Sequence, residues 1–264
     1  MKYALFLAML PLVFSCNSSD DSDIQQEPNV SSFPLTAGTY WTYNNTNDQG
    51  PSRDSLYVVA PGSTTGENYT ALNAPDPING FMTTMFSNGE LRATADLKLY
   101  YRGELSAPIE GIPDIVIPIE DLILYDMLGD TGELGAVSGM IETVVNEVPL
   151  VIDYTITSNQ LSVIIGDDFE NGISTYSPET ELVVNLSITA QIEIGGITIP
   201  VPVLAPQDVL VATNNYTQRI GLTDSVVEVN YELEDLSGFG ITLPFPPMGS
   251  STSTQLLDTY EIAE

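Results

Sequence analysis

The chain reads as all-β, built as an antiparallel sandwich, an open barrel or a strongly curved sheet with few short helices. Three observations predict this. Short runs rich in Val, Ile, Thr and aromatic residues recur at intervals of roughly 8 to 15 residues. Gly, Pro, Asn and Asp fill the gaps between them. Apolar and polar residues alternate with period two, most clearly over 226–233 and 151–157. With 43% hydrophobic and 16% charged residues, the chain has enough apolar surface to fold without covalent staples.

The first segment, 1–15, is a targeting segment rather than part of the fold. Lys2 precedes an apolar run over 3–14, which is too short to span a bilayer and is interrupted by Pro11. The run ends at Cys16, the only cysteine. Leu12-Val13-Phe14-Ser15-Cys16 resembles the lipobox of bacterial lipoproteins. That resemblance implies removal of the signal peptide 1–15 and attachment of diacylglycerol and an acyl chain such as palmitate to Cys16. No other cofactor is expected. The bland alternative is a lone thiol discarded with its signal peptide.

Residues 16–33 form a polar, acidic tether, with Asp20, Asp21 and Asp23 close behind the cysteine. This cluster is similar to the acidic export signal of surface lipoproteins of the Bacteroidota. The resemblance implies an outer-membrane lipoprotein facing outward, against a periplasm-facing alternative.

The folded domain spans 34–264 and opens on Pro34, Leu35, Gly38, Trp41 and Tyr43. Their spacing, Pro-Leu-x-x-Gly-x-x-Trp-x-Tyr, resembles the start of an uncharacterised Bacteroidota lipoprotein family. The stretches 208–211 and 220–222 are similar to later parts of the same family. The resemblance supplies place and fold class and attaches no catalytic residue. Trp41, the only tryptophan, is either a stacking platform for a sugar ring or a core plug for the first strand.

Strands are then expected at 55–60, 81–86, 97–102, 115–119, 140–145, 150–157, 161–165, 182–194, 197–203, 209–213, 226–233, 241–245 and 255–262. Short helical turns are expected near 91–96 or 119–127. A subdivision near 166–181 is the one candidate domain boundary. An internal echo joins 196–203, 240–247 and 111–118, each with prolines that remove N–H groups along one strand side. These read as edge strands or strand exits. Their apolar row Ile197, Ile199, Val201 and Val203 faces either the core or a cavity for a greasy ligand.

Charge sets the excluded classes. Six basic residues stand against 36 acidic ones, for a net charge of −30, so nucleic acid is not a partner. The chain has no histidine, which removes Ser-His and Cys-His nucleophile pairs and His-ligated zinc. Asp167, Asp168, Glu170 and Asn171 make the densest oxygen-rich loop, a weak Ca²⁺ candidate whose spacing does not match the twelve-residue calcium loop. Loops 47–50 and 130–133 are weaker versions. Asp54-Ser55-Leu56 and Asp224-Ser225-Val226 resemble the Bacteroidota O-glycosylation sequon, at Ser55 and Ser225, on strand starts where exposure is expected.

The expected function is therefore a non-enzymatic, lipid-anchored envelope protein with a binding or structural β domain. Its membrane partner is reached through the lipid, and a glycan, protein or lipid partner is left open. One alternative is a carrier whose curved sheet encloses a hydrophobic ligand. The other is a glycan hydrolase using two carboxylates about 5 to 9 Å apart.

Overall fold

The structure is a computed structural model. It describes residues 32–59, 68–106, 109, 116–145, 147–168, 173–236, 238 and 246–263, with the backbone alone at 167, 168, 173, 174 and 194. The elements are β1 (Tyr40–Asn47), β2 (Gly50–Val58), β3 (Thr70–Asn73), α1 (Phe81–Ser87), β4 (Gly89–Ala93), β5 (Lys98–Ser106), β6 (Val116–Asp126), β7 (Gly132–Val145), β8 (Val148–Asp168), β9 (Ile173–Ile194), β10 (Ile197–Thr217), β11 (Gly221–Glu232) and β12 (Met248–Glu261).

All twelve strands join one antiparallel sheet in the order β6-β5-β4-β3-β2-β1-β12-β11-β10-β9-β8-β7. Each strand pairs with its neighbour in sequence, except that β12 pairs with β1 while β6 and β7 are left as the sheet's two ends. The sheet curls until β6 lies against β7, β8 and β9, so the result is a nearly closed barrel, one of the predicted architectures. Up-and-down connectivity gives the barrel two ends. The entry to β1 and residue Ala263 share one, where the Ala263 N–H donates to Thr39 Oγ1. The β1–β2 turn and the start of α1 lie at the other.

A twelve-stranded wall encloses more space than its own inward side chains fill. Here α1 supplies the difference by lying across the concave face against β2, β3, β4, β5 and β12. Residues 81–86, expected as a strand, form this helix. Met82, Thr83, Met85 and Phe86 make its buried side, a three- and four-residue spacing rather than alternation. Inside the barrel no strand edge is in reach, and only a helix satisfies its own backbone.

The large buried side chains follow from the alternation. Trp41, Tyr43 and Leu56 point inward from β1 and β2, and Phe33 sits 5.4 Å from the Trp41 ring and 6.1 Å from Phe86. Tyr125 of β6 meets Tyr216 of β10 at 4.9 Å between ring centroids, bridging the curl of the sheet. Each such ring contributes roughly 1.5 to 3 kcal/mol by burial.

Bulges account for the other misplaced elements. Residues 119–127, a helical-turn candidate, lie mostly in β6, where Ile117, Ile119, Leu122 and Leu124 are buried. The register with β5 slips between Gly103↔Ile119 and Tyr101↔Leu122, and Asp121 at φ 50° absorbs the extra residue. A two-three-two spacing of apolar residues mimics helical periodicity. The other candidate turn, 91–96, begins inside β4 and continues into the β4–β5 turn. A slip between Gln160 and Ser162 likewise hides that 150–157 and 161–165 are one strand, β8. Of the stretch 166–181, residues 166–168 end β8 and 173–181 begin β9, and the two strands pair there, while 169–172 lie outside the described residues.

Two copies of the proline echo fall on exposed strand edges. Pro118 lies on β6, an end strand. Pro200 and Pro202 lie in the first half of β10, which pairs with β9, while its ladder with β11 begins at Leu210. Residues 240–245 of the third copy lie outside the described residues. In the apolar row, Val201 and Val203 are in the core, whereas Ile197 and Ile199 are 67% and 37% exposed beyond it.

Candidate functional site at the polar end of the barrel

The inward row of β1 runs Trp41, Tyr43, Asn45, Asn47, and so turns from aromatic to amide as it nears the β1–β2 turn. Asn47 Oδ1 accepts the Gln49 N–H at 2.9 Å, and Gly50 at φ 106° completes the reversal. Pairing then brings polar partners to the same level. Asn45 stands opposite Gln255 of β12 on one side and Ser52 of β2 on the other, while Asp54 stands opposite Tyr43.

Asn45, Asp54 and Gln255 are each 3% exposed. Asp54 is satisfied by the loop ahead of α1, its carboxylate accepting the N–H of Asn79 at 3.1 Å and that of Gly80 at 2.6 Å. Gln255 Nε2 donates to Thr83 Oγ1 at 2.8 Å and so fastens β12 to the helix. Asn45 differs. Neither Oδ1 nor Nδ2 has a partner, and buried Ser52 Oγ beside it has none either. A Cβ added to Gly80 would overlap Gln255 Oε1 and come within 2.8 Å of Asn45 Oδ1, so a larger residue there would have to push these two amides aside.

One step outward along the same strands, a depression of about 470 Å³ opens to solvent. Its walls include Asn47, Asp48, Asn79 and Ser253, with Phe81 and Ile78 on the helix side. Asp48 is the only ionisable side chain in the lining. The arrangement offers amide, hydroxyl and backbone groups beside one aromatic ring, a surface for hydrogen-bonding recognition.

A second constellation sits on the wall from β3 to β6. The Arg92 guanidinium lies 4.1 Å from the Tyr100 ring centroid and 5.1 Å from that of Tyr69, and Arg102 lies 4.1 Å over the Tyr69 ring. Arg92 Nη2 donates to Asp121 at 2.9 Å, Arg102 Nε donates to Glu90 at 2.7 Å, and the Tyr69 hydroxyl donates to Asp121. Burial, followed by that hydrogen bond, pushes Tyr69 up to about 12. The same hydroxyl, ahead of Arg92, holds Asp121 below the usual carboxylate range. Lys98 pairs with Asp126 at 3.3 Å and Arg53 with Asp258. Four of the five basic residues beyond Lys2 are thus engaged with carboxylates. These are fastenings of the wall.

The sequence candidates do not converge on one place. Trp41 is fully buried, its indole N–H donating to the Ile220 carbonyl, so it is a core plug with no face open to a sugar. Ser225, expected to be exposed, is 1% exposed and bonded to Asn214 Oδ1 at 2.8 Å, because it lies on the inward face of β11. Ser55 is half-buried on β2, and its sequon neighbour Asp54 is the buried acceptor described above. Asp167 and Asp168 lie at the end of β8, their side chains outside the description. Cys16, Glu170 and Asn171 lie outside the described residues. Among the described residues no three acidic or cysteine side chains gather as a metal set.

Asn45, Ser52 and Gln255 were not singled out from the sequence. The available signal was the run Asn44-Asn45-Thr46-Asn47-Asp48 continuing a strand that begins with Trp41, which places amides on an inward row. No family model, curated protein or solved structure matches this chain.

Proposed function

We propose that the chain is a lipid-anchored envelope lipoprotein of the Bacteroidota type, with Cys16 as the lipid site and the barrel as a non-catalytic binding or structural domain held at the outer membrane. The observation that carries this is the polarity of the barrel. The chain enters at the end where Ser32 is buried and bonded to the Lys98 carbonyl, and the amide-lined depression lies at the opposite end. A tether arriving at the first end points the depression away from the bilayer. Such an orientation suits display and does nothing for a protein free in solution.

The binding or structural reading is favoured over a carrier because the interior is filled by α1 and by Trp41, Tyr43, Tyr125 and Tyr216. The test is mass spectrometry of membrane-derived protein together with protease shaving of intact cells. A diacylated peptide beginning at Cys16, and loss of the domain on shaving, are the expected results. An unmodified N-terminus elsewhere removes the anchor. Survival on shaving turns the domain toward the periplasm.

A further inference from the structure

We infer that the free edge of β7 pairs with the same edge of a second copy, so that two barrels associate through one continuous antiparallel sheet. This goes beyond the function proposed above and holds for the barrel whether or not Cys16 is acylated.

The edge is open, and its chemistry is that of backbone. β7 is an end strand, and among the described residues no backbone bond reaches the side away from β8. Its ladder with β8 is regular from Gly135 to Val145. In such a ladder alternate residues turn both backbone groups to the neighbour, and those between turn both away. Val145↔Val148 closes a two-residue hairpin turn and is the hydrogen-bonded kind of pair. Ser138 and Thr155 are then the closer, non-bonded kind, and their hydroxyl oxygens do lie 3.0 Å apart. Ala136, Ser138, Met140, Glu142 and Val144 therefore aim N–H and C=O at the open side. All five are exposed, Met140 and Val144 at 58% and 63%. A row of donors and acceptors in this spacing is matched by water or by another extended strand, and by no compact ligand.

Other open edges of the sheet are blunted. β6 carries Pro118 and the bulge at Asp121, and the first half of β10 carries Pro200 and Pro202. Over 135–145, β7 carries no proline, no basic residue and one charge, Glu142. This edge also fits itself. Met140 is the midpoint of 135–145, so a twofold axis there pairs every edge group. Met140 meets Met140, Ala136 meets Val144, and Glu142 meets the Ser138 hydroxyl instead of another acid. The net charge of −30 repels the two copies at long range, a repulsion that salt screens. The axis sets the two N-terminal entries at opposite ends of the pair, which then lies along a membrane that a single copy stands on. About 16 tether residues at ~3.3 Å each span the difference.

The experiment is sedimentation velocity with residue-resolved hydrogen exchange on the full mature chain, residues 16–264, carrying Cys16→Ser so that no disulfide can join two copies. Monomer at about 10 µM and dimer at about 1 mM are expected, with the dimer favoured further as salt is raised. The amides of Ala136, Ser138, Met140, Glu142 and Val144 should exchange fast when dilute and slowly when concentrated. Those of Val137, Gly139, Ile141 and Thr143, bonded to β8, should stay slow throughout. Met140→Lys, at an exposed position, sets two ammonium groups together and should weaken the pair at least about tenfold. Ser138→Lys sets one opposite Glu142 and should tighten it about threefold. A chain that stays monomeric at about 1 mM overturns the inference, as does a dimer that protects other residues or is indifferent to either lysine. Slow exchange of the five amides already at about 10 µM also overturns it, because the chain then covers its own edge.

Discussion

The backbone N–H of Asp126 donates to Oε1 of Gln160 at 2.9 Å, which ties the end of β6 to β8 where no strand ladder joins them. Gln160 is 1% exposed, and its Nε2 reaches the carbonyls of Gly129 and Asp130 at 3.1 and 3.3 Å. One amide therefore holds the β6–β7 turn against the wall. Gln160→Leu should lower stability by roughly 1 to 3 kcal/mol in urea unfolding, because it strands three backbone groups. Gln160→Glu should be worse at pH 7 than at pH 4, where a protonated carboxyl can donate again.

Gly80 gives a steric prediction free of backbone strain, since its φ is −80°. Gly80→Ala places a methyl against the Asn45 and Gln255 amides and should cost about 1 to 3 kcal/mol. Gly135→Ala on β7, where no atom lies within 4 Å of the added carbon, is the control and should change stability by less than about 0.5 kcal/mol.

Trp41 is the only tryptophan and reports on the core alone. Its emission should be blue-shifted and resistant to iodide in the native protein, and should move red in a single step with unfolding. Trp41→Phe keeps a ring but loses the bond to Ile220 and leaves a void, for a cost of about 2 to 4 kcal/mol by thermal or urea unfolding.

Alkaline pH should unfold the barrel. Burial raises the pKa of Tyr43, Tyr101, Tyr125 and Tyr216, and Tyr69 stands at about 12. A hydroxyl whose folded pKa is raised contributes stability that is complete below the unfolded value, about 10, and is lost as pH climbs toward the folded one. Absorbance at 295 nm follows phenolate formation directly. These five should ionise together with loss of the near-ultraviolet circular dichroism. A smooth titration of all thirteen tyrosines with the fold intact would contradict this.

Strand content was legible because alternation survives wherever a wall residue faces either core or solvent, as in Leu182, Val184, Leu186 and Ile188 of β9. It failed at Asp121 and at Gln160, where a bulge changes which parity faces inward, and sequence carries no mark of that extra residue. It failed again at α1, because Phe81-Met82-Thr83-Thr84-Met85-Phe86 has strand-like composition and is helical only for where it sits. The site was less legible still. Asn45 and Ser52 face each other across the β1–β2 hairpin, but Gln255 lies far down the chain and reaches their level only through the β12–β1 register, a pairing between the first and last strands.

That pairing also decides where a load would be carried. β1 is laced on both sides, to β2 and to β12, and Arg53 of β2 reaches Asp258 of β12 across it. Tension arriving through the N-terminal entry is taken up in shear by two ladders at once, whereas the unladdered line between β6 and β7 lies half a circumference away. A pull at that end would load those two ladders and leave the β6–β7 line, in the middle of the sequence, outside its path.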